Sequence, residues 1–540
     1  MFADETKHPV NYSYPLLIKN ILYTPAVKNP DQEIIYRDLV RFSYGEFEKR
    51  VCRLANALIR MGVKKGDIIG VMDYDSHRYL ECFFAIPMIG AVLHTVNIKL
   101  APSMIAYTIN HAEDDYLLIH EDFIPLFEQI KADLGAVKGC VLLSDEGKKA
   151  DPLFIGQYEE LLAAENDHYH FEDFDENTTA TTFYTTGTTG LPKGVYFSHR
   201  QIVLHTMACL TALAAPKERG RLHAGDVYMP ITPMFHVHAW GFPYIATFIG
   251  LKQVYPGKYN PNMLLNLIEQ EQVTYSHCVP TILHLMMNEP SFAGRDLSSW
   301  KVVVGGSAMP RAICRTFMDK KVDIYSGYGM SETCPVLTIS CLTEQNLTAD
   351  EELDTRCRAG RPLPLVDLRV VDESMKDINQ NSREVGEIVV RTPWLTPGYL
   401  KDSQHSEELW RHKWLHTGDV ASINQKGEVN ISDRMKDIIK VGGEWLSSLE
   451  LEDLVGIEPR VAEVAVIAAP DGKWGERPLA LVVRNGELTE KQILRHLQNY
   501  TDQGLLTRQA LLMKVVFVDK IDKTSVGKID KKILREKYLQ

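Results

Sequence analysis

Early in the chain, segments with helical periodicity take turns with short β-rich runs, and this alternation leaves few architectures open. Tyr44–Met61 carries Phe47, Val51, Leu54 and Leu58 at roughly helical spacing, which predicts an amphipathic helix. Asp67–Met72 is a short apolar run that reads as a buried strand. Tyr79–Ile89 returns to helix and Ala91–Thr95 to strand, and Tyr116–His120 and Gly139–Leu143 read as further strands. Helices interleaved with such strands imply a parallel or mixed sheet covered on both faces. From about Leu365 the runs are short and broken by Gly, Asp and Asn, which predicts antiparallel hairpins and a small barrel. A charged joint follows at Asp433–Asp437, and beyond it helices and strands alternate again. The expected fold class is therefore multidomain α/β, with a large unit over 1–434 and a small α+β unit over 435–540.

The chain has 540 residues, enough for several domains and a core that needs no disulfide or structural metal. Its formal net charge of −12 argues against a general nucleic-acid binder, which needs a basic surface. Any phosphate must be held by a local site. Nine cysteines without a C-x-x-C spacing argue against a zinc ribbon or a disulfide framework, and suggest a reducing compartment. The longest apolar runs, Phe83–Leu93 and Ala239–Leu251, fall short of the ~20 residues that span a bilayer. The first residues, MFADETKHPVNYS, lack a basic start followed by an apolar stretch, so no secretory signal is expected. A cytoplasmic location is the expectation.

The strongest motif is Tyr184-Thr-Thr-Gly-Thr-Thr-Gly-Leu-Pro-Lys-Gly-Val195. Glycines let backbone N–H groups approach an anion, threonine hydroxyls add donors, and one lysine supplies charge for a polyphosphate. The spacing is not that of the P-loop G-x-x-x-x-G-K-[ST], so an ordinary P-loop NTPase is excluded.

This segment resembles the phosphate loop of the adenylate-forming enzymes, which include acyl-CoA synthetases, firefly luciferase and nonribosomal peptide adenylation domains. Further motifs follow in the family's order: Tyr328-Gly-Met-Ser-Glu-Thr333, Ala359-Gly-Arg-Pro362, His416-Thr-Gly-Asp419, Asp433-Arg-Met-Lys-Asp437 and Gly527-Lys528. The resemblance covers essentially the whole chain. It implies a large N-terminal region of two α/β subdomains and a β-barrel, a mobile C-terminal domain, and the substrates ATP and coenzyme A with Mg2+.

The resemblance also implies site residues. Thr185, Thr186, Gly187, Thr188, Thr189 and Lys193 would hold phosphates. Tyr328, Gly329, Met330 and Ser331 would receive adenine and the α-phosphate, with Glu332 and Thr185 on magnesium. A hard cation needs few carboxylates when phosphate oxygens complete its shell. Gly305, Gly306 and Ser307 follow the apolar run Val302–Val304 and would line the adenine and acyl pockets, at the carboxyl end of a strand where open α/β sheets bind ligands. Asp419, at the end of the strand-like WLHTGD, would clamp the ribose with Arg434. Lys528 would bridge carboxylate and phosphate oxygens, neutralising two anions forced together. The family usually has proline where Asp522 stands, but Lys523–Lys528 keeps the pattern. Lys436 lies at the family's hinge position, and Gly443 beside Trp445 would contact pantetheine after the small domain turns.

The acyl pocket is expected in Pro233-Met-Phe-His-Val-His-Ala-Trp-Gly-Phe-Pro243, with His236 near the carboxylate and Trp240 resembling the tryptophan that gates the tunnel of bacterial long-chain fatty acyl-CoA synthetases. His238 stands where those enzymes usually have Asn. No basic residue of this segment is available to pair a second carboxylate, which favours a monocarboxylic, largely apolar acid. A large Trp would equally suit a short acid such as 3-(methylthio)propionate. The expected activity is ATP-dependent acyl-CoA synthesis. An enzyme loading a carrier protein, a luciferase-like oxygenase and a non-catalytic nucleotide-binding module are the rival classes. The family also allows a homodimer.

Overall fold

The computed structural model describes residues 14–185, 191–217, 219–342, 347–380, 384–442, 444–503, 506–523 and 529–539. Thr186, Gly187, Thr188, Thr189, Gly443 and Lys528 lie outside the described residues, as does the side chain of Trp445.

The expected alternation builds a first sheet whose strands run in the order Gly156–Gln157, Gly139–Leu143, Tyr116–His120, Ile68–Met72, Val92–Thr95, Thr179–Thr185 and Lys193–Ser198. Pairing is parallel up to Thr179–Thr185, which turns back on Lys193–Ser198 in an antiparallel hairpin. The helix Tyr44–Arg60 covers this sheet. It starts because the Ser43 hydroxyl accepts from the Glu46 backbone N–H, and it buries Phe47, Val51, Leu54 and Leu58.

A second sheet has nine strands among the described residues. Its centre is parallel: Asp323–Gly329, Lys301–Val304, Tyr275–Cys278, Val227–Pro230 and Lys252–Tyr255. Glu33–Tyr36, from the start of the chain, joins parallel to Lys252–Tyr255. One apolar core, containing Phe83, Phe183, Phe197, Tyr228 and Tyr244, joins the two sheets.

The third layer is antiparallel, as the broken texture after Leu365 predicts. Asp367–Val371 pairs Gly386–Arg391, which pairs the long strand Trp414–Ile423. Trp410–Arg411 and Val429–Arg434 share the far edge of that strand. One expectation is corrected here: Asp419 does not end a strand but sits within Trp414–Ile423. Thr-Gly-Asp reads as a turn, and Gly418 does adopt φ 69°, but Val429–Arg434 continues the ladder past it.

Beyond Asp437 a separate core forms around Val466, Val482, Leu451 and Ile493. The hairpin Val461–Asp471 with Gly475–Arg484 carries it, covered by the helices Ser448–Gly456 and Glu490–Asp502. Among the described residues, no helix is long and apolar enough to cross a membrane.

Candidate active site in the cleft between the two units

Strand ends of the second sheet, the hairpin Thr179–Ser198, the antiparallel layer and the C-terminal unit enclose a cleft of about 1690 Å³. Thr185, Lys193, His236, Trp240, Gly305, Gly306, Ser307, Tyr328, Gly329, Met330, Ser331, Glu332, Asp419, Arg434 and Lys436 all line it. Residues separated by up to about 250 positions in sequence are thus brought together.

Two carboxylates define its chemistry. Asp419 is buried and accepts a hydrogen bond from the Tyr328 hydroxyl at 2.8 Å, while its other oxygen is paired with Arg434 Nε at 3.2 Å. Asp419 and Arg434 are direct partners across the ladder, so backbone pairing fixes their mutual geometry. Burial, then the neighbouring Asp419 charge, push the Tyr328 hydroxyl well above its usual pKa, so it stays a donor. Glu332 is 7% exposed and accepts from the Tyr399 hydroxyl at 2.7 Å through Oε1. Among the described residues no hydrogen-bond donor meets its Oε2, and a buried carboxylate with an oxygen to offer suits a hard cation.

Lys193 Nζ lies 4.7 Å from the centroid of the Tyr399 ring. The same tyrosine therefore borders both the cation and the carboxylate. Leu400 N–H donates to Gly194 O at 2.8 Å and Thr396 N–H to Glu332 O at 3.0 Å, which fix this segment to both motifs. Tyr399 escaped the sequence reading because it sits in a turn-rich stretch, Pro397-Gly398-Tyr399, with no periodicity or motif to mark it. Thr185 and Lys193 are the register partners next to the glycine-rich segment that connects their two strands.

Two glycines admit close backbone approach. A Cβ on Gly305 would lie 2.9 Å from Gly327 O and 3.2 Å from the Trp240 ring, and a Cβ on Gly329 would collide with the Pro335 carbonyl. The wall opposite has an unusual backbone. Val237, His238, Ala239 and Trp240 have φ of 48°, 54°, 48° and 58°, and Gly241 follows at 78°: a left-handed turn. For L-residues this costs roughly 1–2 kcal/mol each, so packing must hold it. His238 supplies much of that packing, its ring 5.1 Å from Phe183 and 6.0 Å from Phe83. His236 precedes the turn, its N–H donating to Pro233 O. Trp240 is both core and wall, 6% exposed yet bordering the cleft.

The C-terminal unit roofs the cleft with the helix Ser448–Gly456 and with Lys523, Ile529 and Lys531. Lys523 and Ile529 form a β-bridge at the base of the segment that contains Lys528. Ile439–Gly442 are absent from the lining. Among the described residues of this unit, the cleft meets Lys523 and Lys531. Lys436 is lowered to about 8, first by desolvation and then by the Arg434 charge. Its side chain is exposed, so the repulsion from Arg434 is the firmer cause.

Residues 22–400 match the AMP-binding enzyme family, and residues 450–528 match its C-terminal domain. The chain belongs to the AMP-binding enzyme family. It is 39% identical over 504 residues to a long-chain-fatty-acid–CoA ligase of Thermus thermophilus, covering 92% of this chain and 90% of that protein. It is 36% identical over 539 residues to a 3-methylmercaptopropionyl-CoA ligase of Ruegeria lacuscaerulensis, covering 97% of both. The fold of this AMP-binding enzyme superposes with a TM-score of 0.84 on an anthranilate CoA ligase in complex with anthranoyl-AMP, at 21% identity over 99% of this chain and 98% of that one. Family and fold thus agree with the sequence reading.

Proposed function

We propose that this enzyme is an ATP-dependent acyl-CoA synthetase: a carboxylic acid and ATP give acyl-AMP and pyrophosphate, and coenzyme A then takes the acyl group and releases AMP. The observation that carries this reading is the convergence on one cleft of the Asp419–Tyr328–Arg434 cluster, Glu332 and Lys193, with a second unit as roof. Asp419 and Arg434 hold the ribose hydroxyls, and Tyr328 presents its ring to adenine alongside Gly305, Gly306 and Ser307. Gly329, Met330 and Ser331 line the α-phosphate. Glu332, oriented by Tyr399, and Thr185 hold Mg2+, which supplies charge neutralisation on the phosphates. Thr186, Gly187, Thr188, Thr189 and Lys193 take the β- and γ-phosphates.

His236 borders the acid's carboxylate and Trp240 the acyl chain. Lys528 draws the two anions together during adenylation. A turn about Lys436 then withdraws it and brings Gly443 and Trp445 to the pantetheine arm. The functional units are 1–434 and 435–540, the location is cytoplasmic, and the assembly is a homodimer, which sedimentation would test. AMP release with free coenzyme A over a panel of acids from two to eighteen carbons tests the central reading. Turnover only with a carrier protein would favour the carrier-loading alternative.

A further inference from the structure

The face of the second sheet that meets Trp240 is filled behind it. The His277 imidazole, on the strand Tyr275–Cys278, lies 5.2 Å from the Trp240 ring and stacks on Phe242 at 4.6 Å and 19°. Its Nε2 is hydrogen-bonded to the Tyr228 hydroxyl at 2.8 Å, and Tyr228 in turn stacks on Phe242 at 6.3 Å. His277 is completely buried, and burial lowers its pKa to about 3, so the ring is neutral and behaves as one more aromatic plate. Its register partner is Val303, which borders the cleft. Val303, Trp240 and Phe242 thus form one wall of the cavity, and His277 stands behind Trp240 and Phe242.

Trp240 is held on two sides. On one side the backbone at Gly305 leaves no space even for a Cβ, which would fall 3.2 Å from the indole. On the other the imidazole is in ring contact. The left-handed turn sets the direction in which the indole leaves the chain. An acyl chain directed at Trp240 meets a stacked column of rings.

We propose that His277 is a positioning residue that holds the Trp240 indole as a fixed end wall, so that this enzyme activates short monocarboxylic acids. This rests on the synthetase reading. The experiment measures kcat/KM for AMP release with coenzyme A on butanoate, hexanoate, decanoate and hexadecanoate, for the native enzyme and for His277→Ala and His277→Phe. Melting temperatures are recorded with acyl-sulfamoyl-adenosine analogues of the same chain lengths, which report binding without turnover. The native enzyme is expected to prefer butanoate, and its melting temperature to rise most with the short analogues. His277→Ala frees space behind the indole and raises the hexanoate-to-butanoate ratio by about fifteenfold, the worth of two newly buried methylenes. His277→Phe keeps a plate in place and keeps the native profile, although Tyr228 loses its partner. A native preference for decanoate or hexadecanoate overturns the proposal. So does a folded His277→Ala with the parental ratio. If the alanine variant does not fold, the native profile in both assays still decides. Absence of AMP release with every acid sinks the synthetase reading instead, and the analogue series then judges the end wall alone. Binding of no analogue overturns both.

Discussion

The joint between the two units is held by one buried carboxylate. Asp433 is the penultimate residue of the strand Val429–Arg434 and is 1% exposed. Its Oδ2 accepts from the Ser448 backbone N–H at 2.6 Å and from the Ser448 hydroxyl at 2.5 Å, in the first turn of the helix Ser448–Gly456. A carboxylate there also meets the positive end of the helix dipole. The Ser447 hydroxyl donates to Ser432 O beside it, and Lys531 Nζ donates to the Ser448 hydroxyl while pairing with Glu452 at 2.8 Å. Because Asp433 belongs to the antiparallel layer and Ser448 to the roof, any turn about Lys436 must break these bonds. Asp433→Asn keeps the shape and one acceptor but removes the charge. Hydrogen bonds to a charged acceptor contribute about 1.5–3 kcal/mol each. Weakening two of them should cost this arrangement about 2–3 kcal/mol, or roughly thirty- to 150-fold in its population. The assay is paired: acid-dependent pyrophosphate exchange for adenylation, and thioester formation from supplied acyl-AMP. Exchange should fall while the thioester step holds or quickens, and the melting temperature should change little because the small unit has its own core. Equal losses in both steps, or an unaltered exchange rate, would refute the latch.

Lys528→Ala should lower acyl-AMP formation by roughly 10²–10³, the loss typical of one electrostatic stabiliser, and leave conversion of supplied acyl-AMP near native; a matching loss in both half-reactions would count against its assigned step. Lys436→Pro fixes φ and removes a backbone donor, so thioester formation should stop while pyrophosphate exchange continues; unimpaired thioester synthesis would place the pivot elsewhere. Tyr399→Phe removes the 2.7 Å bond to Glu332, worth about 1 kcal/mol, so half-saturation of exchange should need roughly fivefold more Mg2+; an unchanged Mg2+ requirement would separate Tyr399 from the cation.

Local structure was legible where local pattern decides it. Tyr116–His120 and Gly139–Leu143 are strands over those same residues, because continuous apolar runs suit strands buried on both faces. The helix begun at Tyr44 ends at Arg60, one residue before the periodic pattern stops. Pairings set by the three-dimensional fold were not legible. Glu33–Tyr36 finds its partner at Lys252–Tyr255, and nothing in either run specifies the other. The site shows the same division. Lys193, Glu332 and Asp419 stood out because glycines and hydroxyls crowd around them in sequence. Tyr399, Asp433 with Ser448, and His277 act through neighbours that only folding supplies. The left-handed backbone at Val237–Trp240 was also hidden, since Val, His, Ala and Trp carry no preference for it and the surrounding rings impose it.

Arg434, paired with Asp419, and Lys436, exposed at the joint, are two residues apart. Two residues of extended chain reach about 7 Å. The small unit is therefore tethered within that distance of the groups proposed to grip the ribose. The start of the small unit therefore stays beside those groups whichever face the unit presents, as a leash that short lets it swing but not drift away.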